Sequence, residues 1–356
     1  MSKHADAVRS LCAAIPSFDR VAAEAAGRRQ ASLTKPPGSL GRLEELSVAL
    51  AGMTGEQRPH VESSAIFTFA GDHGVVAEGV SAFPQSVSVQ MVANFLAGGA
   101  AVNVLARLVG ARVVIADLGL AGEVPGDTTE LRALRVANGT ANMAVGPAMT
   151  AGQMWQAVAA GAALVEEEAV RGLDLAGTGE MGIGNTTAAT AILAACGGDD
   201  PAAITGPGTG LDRAGMGHKA EVIRRALEVN RPNPDCAWDV LQKVGGLEIA
   251  GLVGVILGCA ARRIPCVIDG FISTSAALVA TRACPASLQF LFAGHRSAEP
   301  GHDRMLELIG LRPILDLDMR LGEGTGAALA FTILRAAART LDGMATFADA
   351  GVEDRL

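Results

Sequence analysis

Glu323 stands between two glycines in Leu321-Gly322-Glu323-Gly324-Thr325-Gly326, where a strand-like run gives way to a helical one. A carboxylate at such a junction has two readings. It acts as a general base, or it complements the positive end of the helix that follows. The helix terminus would lower its pKa and burial would raise it. A second cluster, Gly179-Glu180-Met181-Gly182-Ile183-Gly184-Asn185-Thr186-Thr187, opens another helix. Gly182 and Gly184 would let backbone N–H groups approach a ligand. Asn185 or Thr186 can cap the helix, whose N-terminus favours an anion such as phosphate. The same residues also suit a tight turn with no ligand. No Gly-Lys-Ser/Thr follows and GxGxxG is absent, so neither a nucleoside-triphosphate loop nor a dinucleotide fingerprint fits.

Other groups carry weaker signals. His218-Lys219 follows Gly206-Pro207-Gly208-Thr209-Gly210, and Lys219 reads as a point charge for phosphate or as a solvated surface lysine. Asp269 ends a strand and either accepts from a sugar hydroxyl or caps the next helix. His295, Glu299 and His302, with Asp72-His73 as possible companions, hint at a metal. The H-x3-E-x2-H spacing departs from HExxH, and Pro300-Gly301 interrupts any helix that would align the ligands. A polar loop with Arg296 and Ser297 as phosphate- or sugar-facing donors is the competing reading. A metal-dependent hydrolase built on His73, His295 and His302 is a distant third hypothesis.

The elements that position these residues follow from the pattern of apolar runs. Six runs read as strands: 65–70, 113–118, 173–177, 264–269, 288–293 and 313–321. Helical stretches at 86–109, 186–195, 273–282 and 325–340 lie between or after them. Such alternation predicts an α/β fold: an open, mostly parallel, Rossmann-like sheet with helices on both faces. Right-handed crossovers then gather the polar clusters at one sheet edge, so the site should draw on 71–74, 179–187, 269–271, 294–299 and 322–326. Residues 1–60 look helical, with Leu43, Leu46, Leu50 and Met53 at helical spacing. They are expected to form a smaller helical domain beside an α/β domain of residues 61–356, whose C-terminal helices could join the smaller unit.

Composition narrows the function classes. The chain has 356 residues, 49% hydrophobic and 19% charged, which excludes disorder. A net charge of −8 and only ten Phe, two Trp and no Tyr argue against nucleic-acid binding. No stretch is expected to span a membrane. The best candidate, Ile249 to Ala261, is short and interrupted by Gly251, Gly254 and Gly258, and reads as a buried helix. The start, MSKHADAVRSL, lacks the features of a signal peptide. The six cysteines form no CxxC pair and read as reduced core residues of a cytoplasmic protein.

Eight collinear segments together resemble one family. They are LTKPPGSLGRLE (33–44), FAGDHGVVAEGVSAFPQ (69–85), GEMGIGNTTAAT (179–190), GPGTGLD (206–212), GGLEIAGLVG (245–254), IDGFIS (268–273), AGHRSAEPGH (293–302) and LDLDMRLGEGTGAALA (315–330). The family is the nicotinate-nucleotide–dimethylbenzimidazole phosphoribosyltransferases of the cobalamin lower-ligand pathway. The resemblance implies transfer of the 5-phosphoribosyl group of nicotinate mononucleotide to 5,6-dimethylbenzimidazole, with inversion at the anomeric carbon. It implies Glu323 as the base and Glu180 as a supporting acid. Gly182, Gly184, Asn185, Thr186 and Lys219 would face phosphate, with Asp269 and Ser297 as sugar or phosphate contacts. Phe83, Met91, Met181 and Leu321 would line a slot for the acceptor base. The family resemblance also implies a homodimer in which Lys35-Pro36-Pro37-Gly38-Ser39-Leu40 approaches the partner's site. It implies small-molecule substrates only, and no metal or organic cofactor. A non-catalytic mononucleotide-binding protein on the same fold is the alternative.

Overall fold

The computed structural model describes residues 3–353. Residues 1–2 and 354–356, at the outer ends of the two expected regions, lie outside the described residues. Three helices come first: α1 (Lys3–Ala14), α2 (Arg20–Ser32) and α3 (Arg42–Thr54). There follow β1 (Ser64–Gly71), α4 (Ser86–Leu96), α5 (Ala101–Leu108), β2 (Arg112–Gly119), β3 (Arg132–Ala133), α6 (Ala151–Val170), β4 (Leu175–Met181) and α7 (Asn185–Gly197). Then come α8 (Pro201–Ile204), α9 (Arg213–Asn230), α10 (Ala237–Val244), α11 (Leu247–Ala261), β5 (Cys266–Ile268) and α12 (Phe271–Ala283). The chain ends with β6 (Leu291–Arg296), α13 (His302–Ile309), β7 (Pro313–Asp316), α14 (Thr325–Gly343) and α15 (Phe347–Ala350).

All seven strands are parallel, in the order β3-β2-β1-β4-β5-β6-β7. The order reverses between β1 and β4, the switch point where open α/β sheets leave a crevice beyond the strand ends. β1 and β4 sit centrally and are buried almost throughout, which is why their sequences read as apolar runs. β3 was not legible. It is two residues long, Arg132 and Ala133, neither of them buried, so no alternation can form. The expected strand at 313–321 stops at Asp316, because this edge strand pairs only with β6 and Asp318 turns into left-handed backbone. The expected strand at 288–293 lies instead at Leu291–Arg296, behind a 3-10 turn at Pro285–Phe290.

Two expectations need correction. Ser86–Leu108 is long and apolar enough to cross a membrane by length and composition. It does not run as one helix. The chain breaks at Ala97 to Ala100, with Gly98 in left-handed backbone, and α4 and α5 pack separately against the sheet. The helix proposed at 249–261 is α11, which is buried along its length against α6. A side chain at Gly254 would sit 1.9 Å from the Val158 carbonyl oxygen of α6, so this contact requires glycine. The second correction concerns the cysteines. Cys12 and Cys284 form a disulfide, with Cα atoms 5.8 Å apart across a sequence separation of 272 residues. The bond links the end of α1 to the end of α12, and a pairing of that span leaves no mark in local spacing. Cys196, Cys236, Cys259 and Cys266 are free.

The N-terminal helices take different partners. α1 packs on α6 and α11, whereas α2 and α3 pack on each other and on α14. Leu33 bridges to Thr346, and the Arg29 guanidinium donates to the Leu341 carbonyl oxygen at 2.6 Å.

Candidate active site

A cavity of about 460 Å³ opens beyond the C-terminal ends of the strands from β4 to β7. The end of β4 supplies Glu180 and Met181 to its wall, the turn after it Gly182, and the start of α7 Asn185 and Thr186. Phe83 and Met91 come from α4 and the loop before it, Ser297 from the loop after β6, and Leu321 and Glu323 from the loop after β7. Three expected site residues do not line it. Gly184, Lys219 and Asp269 stand directly behind those that do.

Glu323 owes its place to backbone that few residues adopt. Gly322, Glu323 and Gly324 all have positive φ, at 87°, 66° and 100°. A side chain at Gly322 would collide with the Glu180 carboxylate, and one at Gly324 with Ile66. The Thr68 hydroxyl of β1 donates to the Glu323 carbonyl oxygen at 2.9 Å and pins the turn to the sheet. The carboxylate accepts from the Val102 N–H at 3.3 Å, in the first turn of α5. The helix terminus that meets Glu323 is therefore that of α5, not its own α14. Burial is the largest influence on its acidity and raises its pKa. The Val102 N–H pulls the other way, and the charge of Asp269 adds to the rise.

The end of α14 is capped by Asp269 instead. Its carboxylate accepts from Gly326 N–H at 2.6 Å, Ala327 N–H at 3.0 Å and Gly324 N–H at 3.1 Å. The expected cap on the next helix, α12, is not seen: Asp269 caps α14 instead, more than fifty residues on. This carboxylate holds both the Glu323 turn and the helix behind it, and it is not among the groups facing the cavity.

Glu180 is buried beside Glu323, and Asn185 Nδ2 donates to its carboxylate. Burial, then the negative charges of Asp269, Glu248 and Glu323, hold its pKa well above the usual carboxylate range. The glycines that follow are required mainly by packing. A Cβ at Gly182 would lie 2.0 Å from the Gly71 carbonyl oxygen, and one at Gly184 would meet His73 and Val76. The loop at 71–74, expected at the site, thus lies beneath this turn and not in the cavity. It holds the turn through a buried relay. Ser88 of α4 donates to Asp72 at 2.5 Å and accepts from the Ile183 N–H at 3.1 Å. The other Asp72 oxygen accepts from Ala121 N–H at 2.9 Å. His73 pairs with Glu248 at 2.6 Å, both fully buried.

Lys219 is only 1% exposed and donates to the Thr186 hydroxyl at 2.7 Å. Burial brings its pKa down to about 8, against the opposing pull of Glu299. His295 and His302 lie side by side, ring centroids 6.3 Å apart, while His73 is taken up by Glu248. His302 accepts from the Ser297 N–H at 2.7 Å and meets the Thr274 hydroxyl at 2.8 Å, and burial takes its pKa down to about 3. His295 lines the cavity, its Nδ1 donating to the Arg296 carbonyl oxygen at 3.1 Å. Among the described residues no group of three His, Cys, Asp or Glu is placed to hold a metal ion.

Several lining residues escaped the sequence reading. Ile272, in the first turn of α12, is one, and its place just after a strand end was the available signal. Phe271 beside it falls in the expected 269–271 stretch and gives the cavity a second aromatic ring besides Phe83. Val87 shares the α4 face of Met91, and helical spacing could have found it. Arg320 reads in sequence as an ordinary surface charge, and nothing local marks it out.

Residues 15–352 match the family described as Phosphoribosyltransferase. The nicotinate-nucleotide–dimethylbenzimidazole phosphoribosyltransferase of Chloroflexus aggregans is 54% identical over 341 residues, covering 96% of each chain. The protein of the same name from Geobacter metallireducens is 56% identical over 320 residues, 90% of each. The crystal structure of CobT from Thermus thermophilus superposes with a TM-score of 0.90 at 46% identity, covering 94% of this chain and 100% of that one. With a shared fold, near-complete coverage and more than half of the residues identical, this chain belongs to the nicotinate-nucleotide–dimethylbenzimidazole phosphoribosyltransferase family.

Proposed function

We infer that the chain transfers the 5-phosphoribosyl group of nicotinate mononucleotide to 5,6-dimethylbenzimidazole, releasing nicotinate and α-ribazole 5′-phosphate in the building of the cobalamin lower ligand. The donor is β-configured and the product α, which a single in-line displacement accounts for. The bond from the anomeric carbon to the pyridinium nitrogen breaks as the bond to the benzimidazole nitrogen forms. The leaving pyridine departs neutral and needs little acid assistance. The acceptor does need help, because its attacking nitrogen gains positive charge unless the other ring N–H gives up a proton.

Glu323 is the group we assign to take that proton. The observation that carries the assignment is its buried carboxylate in the cavity wall, with a pKa raised by that burial. A stronger base at neutral pH is what proton abstraction calls for. Glu180, whose pKa burial pushes up, serves as a hydrogen-bonding support for the Asn185 turn. Gly182, Asn185 and Thr186, with Lys219 behind Thr186, form our proposed phosphate side, and Ser297 faces the sugar. Phe83, Met91, Met181 and Leu321 are assigned to the acceptor base. Gly184 serves through packing and Asp269 through its cap.

We also propose a homodimer. Phe83 and Leu321 remain 51% and 58% exposed at the cavity mouth, apolar surface that a partner's Lys35–Leu40 segment could cover. That segment is exposed from Pro36 to Ser39 and anchored by a 2.8 Å pair between Lys35 and Glu44. The smaller helical unit would then comprise α2, α3 and the C-terminal end of α14. A cytoplasmic compartment without a membrane span remains our reading. The four free cysteines and the separation of α4 from α5 support it, and the Cys12–Cys284 disulfide, a bond uncommon in that compartment, weighs against its first part.

The test is direct. Purified protein mixed with nicotinate mononucleotide and dimethylbenzimidazole should release nicotinate and form one equivalent of α-ribazole 5′-phosphate, identified by mass and by anomeric configuration. Binding of the mononucleotide without nicotinate release would instead support the non-catalytic alternative.

A further inference from the structure

The cavity presents an electrostatic problem. Its ionisable wall carries three carboxyl groups, Glu180, Glu299 and Glu323, yet the proposed donor bears a phosphate dianion. Among the described residues that line it, Arg320 is the only lysine or arginine. Lys219 stands one layer back, reaching the wall through Thr186, with a pKa of about 8. One partly titrating lysine is a thin complement to a dianion.

Arg320 is placed to supply the missing charge. Its guanidinium donates to the Gly208 carbonyl oxygen at 3.2 Å, which draws it over the cavity mouth. Gly208 is the point where the two cations meet. A Cβ there would lie 2.8 Å from the Thr186 hydroxyl and 3.2 Å from Lys219 Nζ. Thr186 and Lys219 thus flank Gly208 on the buried side, and Arg320 flanks it on the solvent side. Glu299 sits within the field of both, its carboxyl raised by burial and lowered by Lys219 and Arg320. Beyond the Gly208 contact, no other Arg320 donor has a protein acceptor among the described residues. An arginine stays charged where Lys219 begins to lose its proton, and its planar fork matches two phosphate oxygens at once.

We propose that Arg320 binds the donor's 5′-phosphate from the solvent side of Gly208, opposite Lys219, and sets the enzyme's preference for a phosphorylated donor. The proposal rests on the assignment of phosphate to the Thr186–Lys219 side. Three donors separate the two claims: nicotinate mononucleotide, nicotinate riboside, which lacks the phosphate, and nicotinamide mononucleotide, which lacks the carboxylate. Each is compared as a substrate or, where turnover falls below detection, as a competitive inhibitor. Arg320→Gln should lower kcat/KM for both phosphorylated donors by about 10- to 100-fold. It should leave the riboside unchanged, and Arg320→Lys should restore part of the loss. An equal loss with all three donors, or none, overturns the proposal. So does a loss confined to nicotinate mononucleotide, which would mean that Arg320 reads the carboxylate. Lys219→Met provides the control. If it abolishes the phosphate preference while Arg320→Gln does not, the subsite stands and Arg320 has no part in it. If Arg320→Gln alone abolishes the preference, Arg320 stands and the role given to Lys219 fails.

Discussion

At the scale of single residues, chemistry here is set by which neighbour holds which carboxylate. In sequence, Glu323 was a candidate complement to the helix after it, and Asp269 a candidate cap for the helix after its own strand. In the structure Asp269 accepts from three backbone N–H groups of the α14 terminus, which leaves Glu323 to the cavity. The motif marked the place of Glu323, but only the fold shows why its acidity is weakened, because burial is a property of the whole neighbourhood. Lys219 tells the same story. A solvated lysine and a phosphate ligand look alike in sequence, and the structure shows it buried against Thr186. With its pKa brought down to about 8, Lys219 is a cation below that pH and loses its charge as pH rises through it. The KM for nicotinate mononucleotide should therefore climb above about pH 8, by roughly 10- to 100-fold once the charge is lost. In Lys219→Met the KM should be high and flat across the same range. A flat profile in the unaltered enzyme would show that Lys219 does not meet the phosphate.

At the scale of elements, the strand ends were legible and the supports beneath them were not. The glycine-rich turn after β4 and the one after β7 are where the alternation of apolar runs placed them. The break between α4 and α5 was missed although Gly98-Gly99 is a turn signal, because apolar residues continue at helical spacing on both sides of it. Yet that break aims the first turn of α5 at Glu323. Ser88 was missed for another reason: a lone serine on an apolar helix carries no signal. It ties α4, which bears Met91, to the Ile183 N–H of the proposed phosphate turn, through a hydrogen bond of 3.1 Å. Ser88→Ala would strand that N–H and one oxygen of Asp72, at a cost of about 1–3 kcal/mol. Donor KM should rise about tenfold while Ser88→Thr, which keeps the hydroxyl, stays near the original value. An unchanged donor KM in Ser88→Ala, measured alongside its thermal midpoint, would show that the relay does not position the turn.

At the scale of the molecule, the scarcity of aromatic residues takes on a functional meaning. A planar acceptor would meet only Phe83 and Phe271, together with methionine and aliphatic side chains. Trp155 and Trp238 pack against each other at a tilt of 49° away from the cavity, with ring centroids 4.6 Å apart. Such a slot selects by thickness and shape, and methionine adapts to either. What composition could not convey is long-range closure. The disulfide between Cys12 and Cys284 and the packing of α1 on α6 and α11 join segments hundreds of residues apart. Likewise, the Glu323 turn depends on β1, α5 and Asp269 at once, so its proposed role as the base stands for the whole arrangement. The most direct measurement is the rate of nicotinate release with dimethylbenzimidazole by Glu323→Gln, across pH. The account predicts a loss of about 10² to 10⁴ in kcat. It also predicts that the unaltered enzyme loses activity, as pH falls, above the ordinary carboxylate range, and that this acid limb disappears in the variant. Turnover within a few-fold of the original, with the acid limb intact, would contradict it and pass the role to Glu180.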